Sequence, residues 1–177
     1  MTSETSTESK LPPTPSAAYT LRTHRPGDIG WIIHRHATYY DKEHDWGLKM
    51  EGLASQVGAD FLENYNESTD RCWIAERDGE FLGCIILVKD RDQVNTAKLR
   101  MFLVEPSARG LGLGQTLVQQ CVRFARECGY AKIHLWTQGV LLPARRLYAK
   151  EGFQLASSEE NEVFGMKLMG ECWELAL

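Results

Sequence analysis

The glycine-rich segment Arg109–Gln115 carries the clearest chemical signal in the sequence. It reads Arg-Gly-Leu-Gly-Leu-Gly-Gln, so three glycines alternate with larger residues. Glycine permits positive φ angles and lets a ligand approach the main chain closely. The segment precedes an amphipathic helix, whose first unpaired N–H groups and positive dipole end attract an anion. This combination predicts a binding site for a phosphate or pyrophosphate group.

Two common nucleotide-binding motifs do not fit this segment. A Walker loop requires Lys-Ser or Lys-Thr after its last glycine, and neither follows Gly114. A GxGxxG fingerprint fails from Gly110 and from Gly112, because its third glycine would fall on Gln115 or Leu117. The alternative is a glycine-rich connection that only turns a corner. Arg109 together with three alternating glycines exceeds what such a turn requires.

The elements that position this segment follow from hydrophobic periodicity. The pattern predicts strands at 19–23, 72–77, 80–89, 97–104, 132–137, 162–168 and 171–177. Helices are predicted from Asp28, as its N-cap, over 48–64, after the glycine-rich turn as far as Gly129, and over 141–150. Consecutive hairpins followed by one β-α-β unit predict a single α/β or α+β domain with a mixed sheet, covering residues 19–177.

Composition narrows the class of protein. The 177 residues are 43% hydrophobic with a net charge of -4, and no apolar run reaches the ~18 residues of a membrane helix. An acidic sum disfavours nucleic-acid binding. Five cysteines without a CxxC spacing indicate neither a disulfide scaffold nor a zinc site. Residues 1–18 are rich in Ser, Thr, Glu and Pro, which predicts a disordered tail without a secretory signal and a cytoplasmic protein.

Two motifs resemble those of the GCN5-related N-acetyltransferase (GNAT) superfamily. Leu99–Leu117 is similar to its acyl-CoA-binding motif, (Q/R)xxGx(G/A), with Arg109, Gly112 and Gly114 in the three defined positions. Residues 144–153 resemble its AxxLYxxxGF segment, although Leu141 stands where the family often has Asn. The resemblance implies a mostly antiparallel sheet of about seven strands, about four flanking helices and a splayed central strand pair.

A closer resemblance is to the acetyltransferase half of bacterial proteins that fuse a MarR-type repressor to a GNAT domain. The segments that carry it are 30–36, 72–79, 97–100 and 173–175. No DNA-binding domain fits into an 18-residue tail. The resemblance therefore implies an acetyltransferase module that stands alone.

The GNAT resemblance implies acetyl-CoA as co-substrate, with no metal, and transfer of its acetyl group to a primary amine by direct attack in a ternary complex. Pyrophosphate would bind the glycine-rich turn, and the pantetheine arm would pair with the strand edge at Phe102–Val104. The Val104 N–H would stabilise the thioester oxygen. Arg145 and Arg146 are candidates for the 3′-phosphate contact, and the alternative is an ordinary solvated pair of charges on an exposed helix. The predicted cofactor-binding residues are Phe102, Leu103, Val104, Arg109, Gly110, Leu111, Gly112, Leu113, Gly114, Gln115 and Arg145.

Catalytic groups are predicted on two helices. The resemblance gives Tyr148 the task of protonating the departing thiolate, because a phenol is protonated at neutral pH. His36, Tyr40 and Glu43 share one direction on the first helix, inside its apolar stripe. Glu43 is the first candidate for the general base and His36 the second; the alternative is a hydrogen-bonded core histidine and a solvated helix end. Four aromatic residues are candidates for a wall that accepts the amine, with core packing as the favoured alternative: Tyr39, Tyr40, Trp46 and Trp173. His134 and Trp136 are candidates for the lining of the wedge.

Two further functions stay open from the sequence. One is a CoA-binding regulatory or sensor module without turnover, and the other is a module that docks on or acetylates a protein tail. The acceptor is expected to be an amine of a small molecule or of a protein. Neither a nucleic acid nor a membrane is expected as a partner, and the chain is expected to be a monomer or a homodimer.

Overall fold

The computed structural model of the protein describes residues 19–177, so the predicted tail 1–18 lies outside the described residues. Seven strands and four α-helices follow one another in the predicted order. They are β1 (Thr20–Thr23), α1 (Asp28–His44), α2 (Gly47–Asn64), β2 (Arg71–Arg77), β3 (Glu80–Lys89), β4 (Thr96–Val104), α3 (Leu113–Glu127), β5 (Lys132–Gln138), α4 (Leu142–Lys150), β6 (Gln154–Val163) and β7 (Met166–Ala176). A short 3₁₀ turn at Pro106–Ala108 joins β4 to the glycine-rich segment.

All seven strands form one sheet in the order β1-β2-β3-β4-β5-β7-β6. Of the strand pairs in the described part of the chain, only the central pair β4–β5 is parallel. The β4–β5 ladder is short relative to its strands, because it pairs only Thr96–Leu99 with Lys132–Leu135 and then stops. β4 continues to Val104 and β5 to Gln138 without pairing to each other. The expected mixed, mostly antiparallel sheet with a splayed central pair is therefore confirmed, and the splay opens a wedge between β4 and β5.

Apolar side chains cover both faces of the sheet. On one face, Ile85 and Leu99 pack with the buried side of α3, represented by Leu117 and Cys121. On the other face, α1 and α2 cover the sheet with a cluster of Ile29, Ile32, Phe61, Cys72, Ile74, Cys84, Ile86 and Leu103. A separate cluster of Trp46, Met50 and Phe164 joins α2 to the β6–β7 hairpin. These contacts fix the helices on both sides of the wedge.

Two local expectations are wrong. β6 begins at Gln154 and not near 162, and β7 begins at Met166 and not at 171. β6 is an edge strand whose first seven residues are exposed, so it lacks the alternation that marks a half-buried strand. Asp28 is not the N-cap of α1, because Gly27 holds that position with φ of 96°. The Asp28 carboxylate instead accepts hydrogen bonds from the Arg25 N–H at 2.6 Å and from the Arg22 guanidinium.

The five cysteines are free thiols, and Cys72, Cys84 and Cys121 are buried. Burial raises the pKa of Cys84 and Cys121, which disfavours the nucleophilic thiolate. Within residues 19–177, no helix has the length and hydropathy needed to cross a bilayer. The same residues contain no group of three or more His, Cys, Asp or Glu side chains placed to hold a metal ion.

Candidate active site

The glycine-rich turn presents a series of free backbone donors. Gly110 and Gly112 have φ angles of 81° and 72°, a region that side chains rarely allow. Among the residues that the structure describes, no acceptor bonds the six N–H groups from Gly110 to Gln115; the first bonded one is Thr116, which donates to the Gly112 carbonyl at 3.1 Å. Six consecutive free N–H groups at a helix start suit a phosphate or pyrophosphate.

Gly114 sets the position of this helix start. A Cβ atom built there would lie 3.3 Å from Leu147 Cδ2, 3.4 Å from Phe102 Cζ and 3.6 Å from Val104 Cγ2. The first turn of α3 therefore rests directly on the end of β4 and on α4. The small residue places the free N–H groups beside the wedge.

Arg109, the first residue of the motif, bridges the turn to α1. Its Nη2 donates a hydrogen bond to the Tyr39 hydroxyl, and its guanidinium lies 5.6 Å from the centre of the Tyr39 ring. Tyr39 therefore contacts the turn and not the cavity described below, where sequence analysis expected it. The arginine stays at the surface, next to the free N–H groups.

A bulge in β4 shapes the edge of the wedge. The register of β3 against β4 shifts between Cys84 and Ile86, and Met101 has φ of 49°. The Cys84 thiol donates to the Met101 carbonyl at 3.2 Å, which supports the bulged backbone. Beyond the bulge, the Glu105 N–H donates to Leu82 on β3. Because N–H groups alternate along an extended strand, the Val104 N–H points to the opposite side, into the wedge.

A cavity of about 300 Å³ lies at the splayed end of the wedge. β4, β5, α1, α2, α4 and the β6–β7 hairpin contribute to it. Tyr40 and Trp46 stack at 4.8 Å, and Trp46 stacks on Phe164 at 4.4 Å, so three rings form one wall. The lining residues are His36, Tyr40, Trp46, Met50, Leu53, Val57, Lys98, Leu99, Arg100, Met101, Phe102, Trp136, Thr137, Gln138, Leu141, Ala144, Tyr148 and Phe164.

Tyr148 reaches this cavity from α4. Its side chain is 4% exposed, and its ring lies 6.1 Å from Phe102 and 5.7 Å from Phe153. In the described part of the chain, the Tyr148 hydroxyl has no hydrogen-bond partner. Burial raises the pKa of Tyr148, so the phenol stays protonated over the ordinary pH range. The structure thus presents a neutral O–H donor at the cavity surface.

His36 reaches the same cavity from α1. It is 3% exposed, and its Nδ1 lies 2.9 Å from the Ile32 carbonyl oxygen. Since a carbonyl only accepts, this contact places the proton on Nδ1 and a lone pair on Nε2. Nε2 has no partner in residues 19–177. Burial lowers the pKa of His36 to about 4, so the imidazole is neutral at pH 7.

The prediction that Glu43 lies inside the apolar stripe is wrong. Residues 41–43 are all exposed, because these positions of the last turn of α1 face solvent, whereas Tyr40 and His44 pack with Trp46. Glu43 does not line the cavity. The structure therefore brings Tyr148, His36 and Tyr40 together and leaves Glu43 outside.

The other candidates divide between the cavity and the core. Trp136 lines the cavity, whereas the Nε2 of His134 contacts the Asp90 carboxylate. The Trp173 indole donates to Glu171 at 2.9 Å and packs in the core next to α3. Arg145 donates from Nε to Glu171 at 2.8 Å and from Nη1 to the Gly139 carbonyl at 3.2 Å.

Four polar residues of the cavity were missed by sequence reasoning: Lys98, Arg100, Thr137 and Gln138. A signal for the first two exists in the sequence, because cations at positions i and i+2 of a strand point to the same face. In the otherwise apolar β4 this face is half-buried. Gln138 carries no comparable signal, since it ends a strand where polar residues are common.

Comparison with known proteins identifies the family to which this fold, turn and wedge belong. The family model described as Acetyltransferase (GNAT) family matches residues 33–153, and the chain belongs to this family. The chain is 30% identical over 160 residues to mycothiol acetyltransferase of Sanguibacter keddieii, covering 86% of this chain and 49% of that protein. It is 31% identical over 104 residues to N-acetylaspartate synthetase of Danio rerio, covering 58% of this chain and 36% of that protein. The chain thus spans about a third to a half of these two relatives.

Solved structures share the fold. Ribosomal-protein-alanine N-acetyltransferase from Brucella melitensis superposes with a TM-score of 0.72 at 20% identity, covering 89% of this chain and 99% of that one. A Salmonella typhimurium protein, assigned as an acetyltransferase and solved with its cofactor acetyl-CoA, gives a TM-score of 0.68 at 19% identity, covering 91% and 95%. At these identities the likeness concerns the fold alone.

Proposed function

We propose that the chain is an acetyl-CoA-dependent N-acetyltransferase that moves an acetyl group to a primary amine by direct attack in a ternary complex. The observation that carries this proposal is the run of six free N–H groups, Gly110–Gln115, at the mouth of a wedge that leads to a cavity with Tyr148. Membership of the GNAT family supports it. So do the two relatives named above, mycothiol acetyltransferase and N-acetylaspartate synthetase.

The chain offers a contact for each part of acetyl-CoA. The turn Arg109–Gln115 would hold the pyrophosphate, and the free edge of β4 at Phe102–Val104 would pair with the amide-rich pantetheine arm. The inward Val104 N–H would face the thioester oxygen, where negative charge develops. Arg145 uses two of its five N–H donors within the protein, which leaves three for the 3′-phosphate.

Tyr148 supplies the proton that the reaction requires at its end. When bound, acetyl-CoA would supply an acetyl group as a thioester. Transfer of that acetyl group to the amine forms an N–C bond, breaks the C–S bond and releases the thiol of CoA. The Tyr148 hydroxyl donates its proton to the departing sulfur, and its raised pKa ensures that this proton is present. The amine nitrogen loses one proton as the amide forms, and that proton passes through water to the Tyr148 phenolate, which restores the phenol after each turnover.

The cavity itself keeps the attacking amine neutral. Apolar walls disfavour an ammonium ion, and the nearby cations Lys98 and Arg100 disfavour it further. The lone pair on His36 Nε2 accepts a hydrogen bond from an N–H of the amine. This contact orients the lone pair of the amine nitrogen for attack. The low pKa of His36 makes it a poor proton acceptor, so we assign it positioning and not base catalysis. No role is assigned to the exposed Glu43.

Finer features of the proposal rest on the sequence. We propose a cytoplasmic protein that acts as a monomer or homodimer on a small-molecule or protein amine, without nucleic acid or membrane as partner. The likeness to the acetyltransferase half of MarR-GNAT fusions stays a prediction. It is supported by the segments quoted above.

One experiment tests the activity and the sensor alternative together. Release of the CoA thiol is measured over a panel of amines, with acetyl-CoA affinity from calorimetry on the same protein. Gly112→Asp is the matched control, because its carboxylate would repel the phosphates and its side chain would strain a backbone with φ of 72°. Turnover in the native chain but not in Gly112→Asp supports the enzyme. Binding without turnover on any amine supports the sensor, and absence of binding refutes both.

A further inference from the structure

The cavity at the splayed end of the wedge has two cationic side chains in its lining. Lys98 and Arg100 lie on the same side of β4, and both line the cavity. Among residues 19–177, no Asp or Glu belongs to the lining. Considering residues 19–177 only, neither cation forms a hydrogen bond or an ion pair within 4.0 Å. Burial lowers the pKa of Arg100, but its guanidinium stays charged at neutral pH.

The nearest carboxylates already have partners. Asp60 and Asp90 act on Arg100 through space. Asp60 pairs with Arg91 at 3.1 Å, and Asp90 contacts His134 Nε2 and accepts the Asp92 N–H at 2.8 Å. The positive charge of Arg100 therefore has no contacting counter-ion in the described part of the protein.

Gln138 provides an independent observation at the same cavity. Its side chain is 2% exposed, and both amide atoms, Nε2 and Oε1, lack a partner within the described residues. A buried amide requires hydrogen-bond partners, and a ligand in this cavity would complete the bonds of Gln138.

We propose that the acceptor is a small aminocarboxylate, such as a free amino acid, whose carboxylate binds Arg100 with help from Lys98 and the Gln138 Nε2. The inference rests on the proposed function and names the substrate class of that site. A guanidinium matches the two oxygens of a carboxylate better than any other side chain. A cavity of about 300 Å³ is at the small end of ligand sites, which favours a free amino acid over a folded protein tail.

The direct test compares each amino acid with its own amide, which removes the carboxylate charge and keeps the side chain. We expect the acid to exceed the amide by ~10–100-fold in kcat/KM, the usual range for a charged hydrogen bond. The α-amino group of an amino acid amide is less basic than that of the free acid, so a larger fraction of it is neutral at pH 7. This difference favours the amide and therefore opposes the expected result. Equal kcat/KM values for the amino acid and its amide would overturn the proposal. Equal kcat/KM values for the free amino acid and a dipeptide amide, which has no carboxylate, would also overturn it.

Variants locate the effect on Arg100. Arg100→Met is expected to reduce the acid-to-amide ratio in kcat/KM to near 1. Arg123→Met removes the same charge from an exposed site on α3 and should preserve the ratio. A preserved ratio in Arg100→Met would overturn the assignment, and the ratio in the native chain decides the proposal even if that variant does not fold.

A binding measurement separates this inference from the proposed function. The acid and the amide are titrated into the protein saturated with CoA, and their Kd values are compared. A ~10-fold preference for the acid without turnover would refute the enzyme and support the carboxylate site. Turnover of amines without any preference for the acid, in rate or in Kd, would refute only the carboxylate site.

Discussion

His36 links the stability of the protein to pH, and the structure gives the size of the effect. Burial lowers the pKa of this imidazole from 6.5 to about 4. The unfolded chain therefore binds a proton below pH 6.5 that the folded chain does not bind. The stability contributed by neutral His36 is fully present above pH 6.5 and is lost as the pH falls toward about 4. A shift of this size removes ~2 kcal/mol from the free energy of unfolding by pH 5.

The assay is urea unfolding at a series of pH values from 7.5 to 5, followed by tryptophan fluorescence. We compare the native chain with His36→Gln, which does not titrate in this range, and with His34→Gln, which removes an exposed histidine from the same helix. Burial also lowers the pKa of His24 and His134, but these residues are present in all three proteins and cancel. The native chain and His34→Gln should lose ~2 kcal/mol more than His36→Gln.

Equal losses in the native chain and His36→Gln would refute a neutral buried His36. The same property has a kinetic counterpart. A residue that titrates near pH 4 cannot produce a limb in the pH–rate profile between pH 6 and 7. A limb in that range that vanishes in His36→Gln would identify His36 as the general base, contrary to the positioning role proposed above.

Three further results are expected. Tyr148→Phe should lower kcat by ~10²–10⁴-fold with little change in KM or melting temperature, while the exposed Glu43→Gln stays within about twofold; a Tyr148→Phe enzyme as fast as native would remove the acid role. Gly114→Val should lower the free energy of unfolding by about 1–3 kcal/mol, because its Cβ would crowd three side chains at 3.3–3.6 Å; an unchanged urea midpoint would show that α3 can move freely. Arg35→Met should cost about 1–2 kcal/mol by leaving the buried Glu105 without its two hydrogen bonds, and a loss below about 0.3 kcal/mol would contradict this.

The order of elements was predictable because most of them bury one face. Strict periodicity marks α3, and long apolar runs mark β3, so the bounds of β3 were predicted as they are observed. The edge strand β6 was misplaced because its exposed residues need no alternation. The bulge at Met101 was also invisible, since nothing in the local sequence marks a positive φ at a methionine.

The candidate site was predictable where a motif dictates backbone geometry and less so where the fold dictates contacts. The glycine pattern identified the turn, because positive φ angles at Gly110 and Gly112 require that residue type. The helical wheel placed His36 and Glu43 together, but it does not show where the sheet ends beneath the helix. Gln138 enters the cavity only because β5 diverges from β4, which is a tertiary property.

The four-residue ladder between β4 and β5 also affects how the domain folds and opens. Residues 20–104 form β1 to β4 and residues 132–176 form β5 to β7, so each half of the sheet is one continuous stretch of chain. Such halves behave as cooperative units, and amide hydrogen exchange should show them opening along this seam before the whole domain unfolds. A molecule seated in the wedge contacts both halves. Its binding free energy therefore stabilises their docking to each other more than the folding of either half.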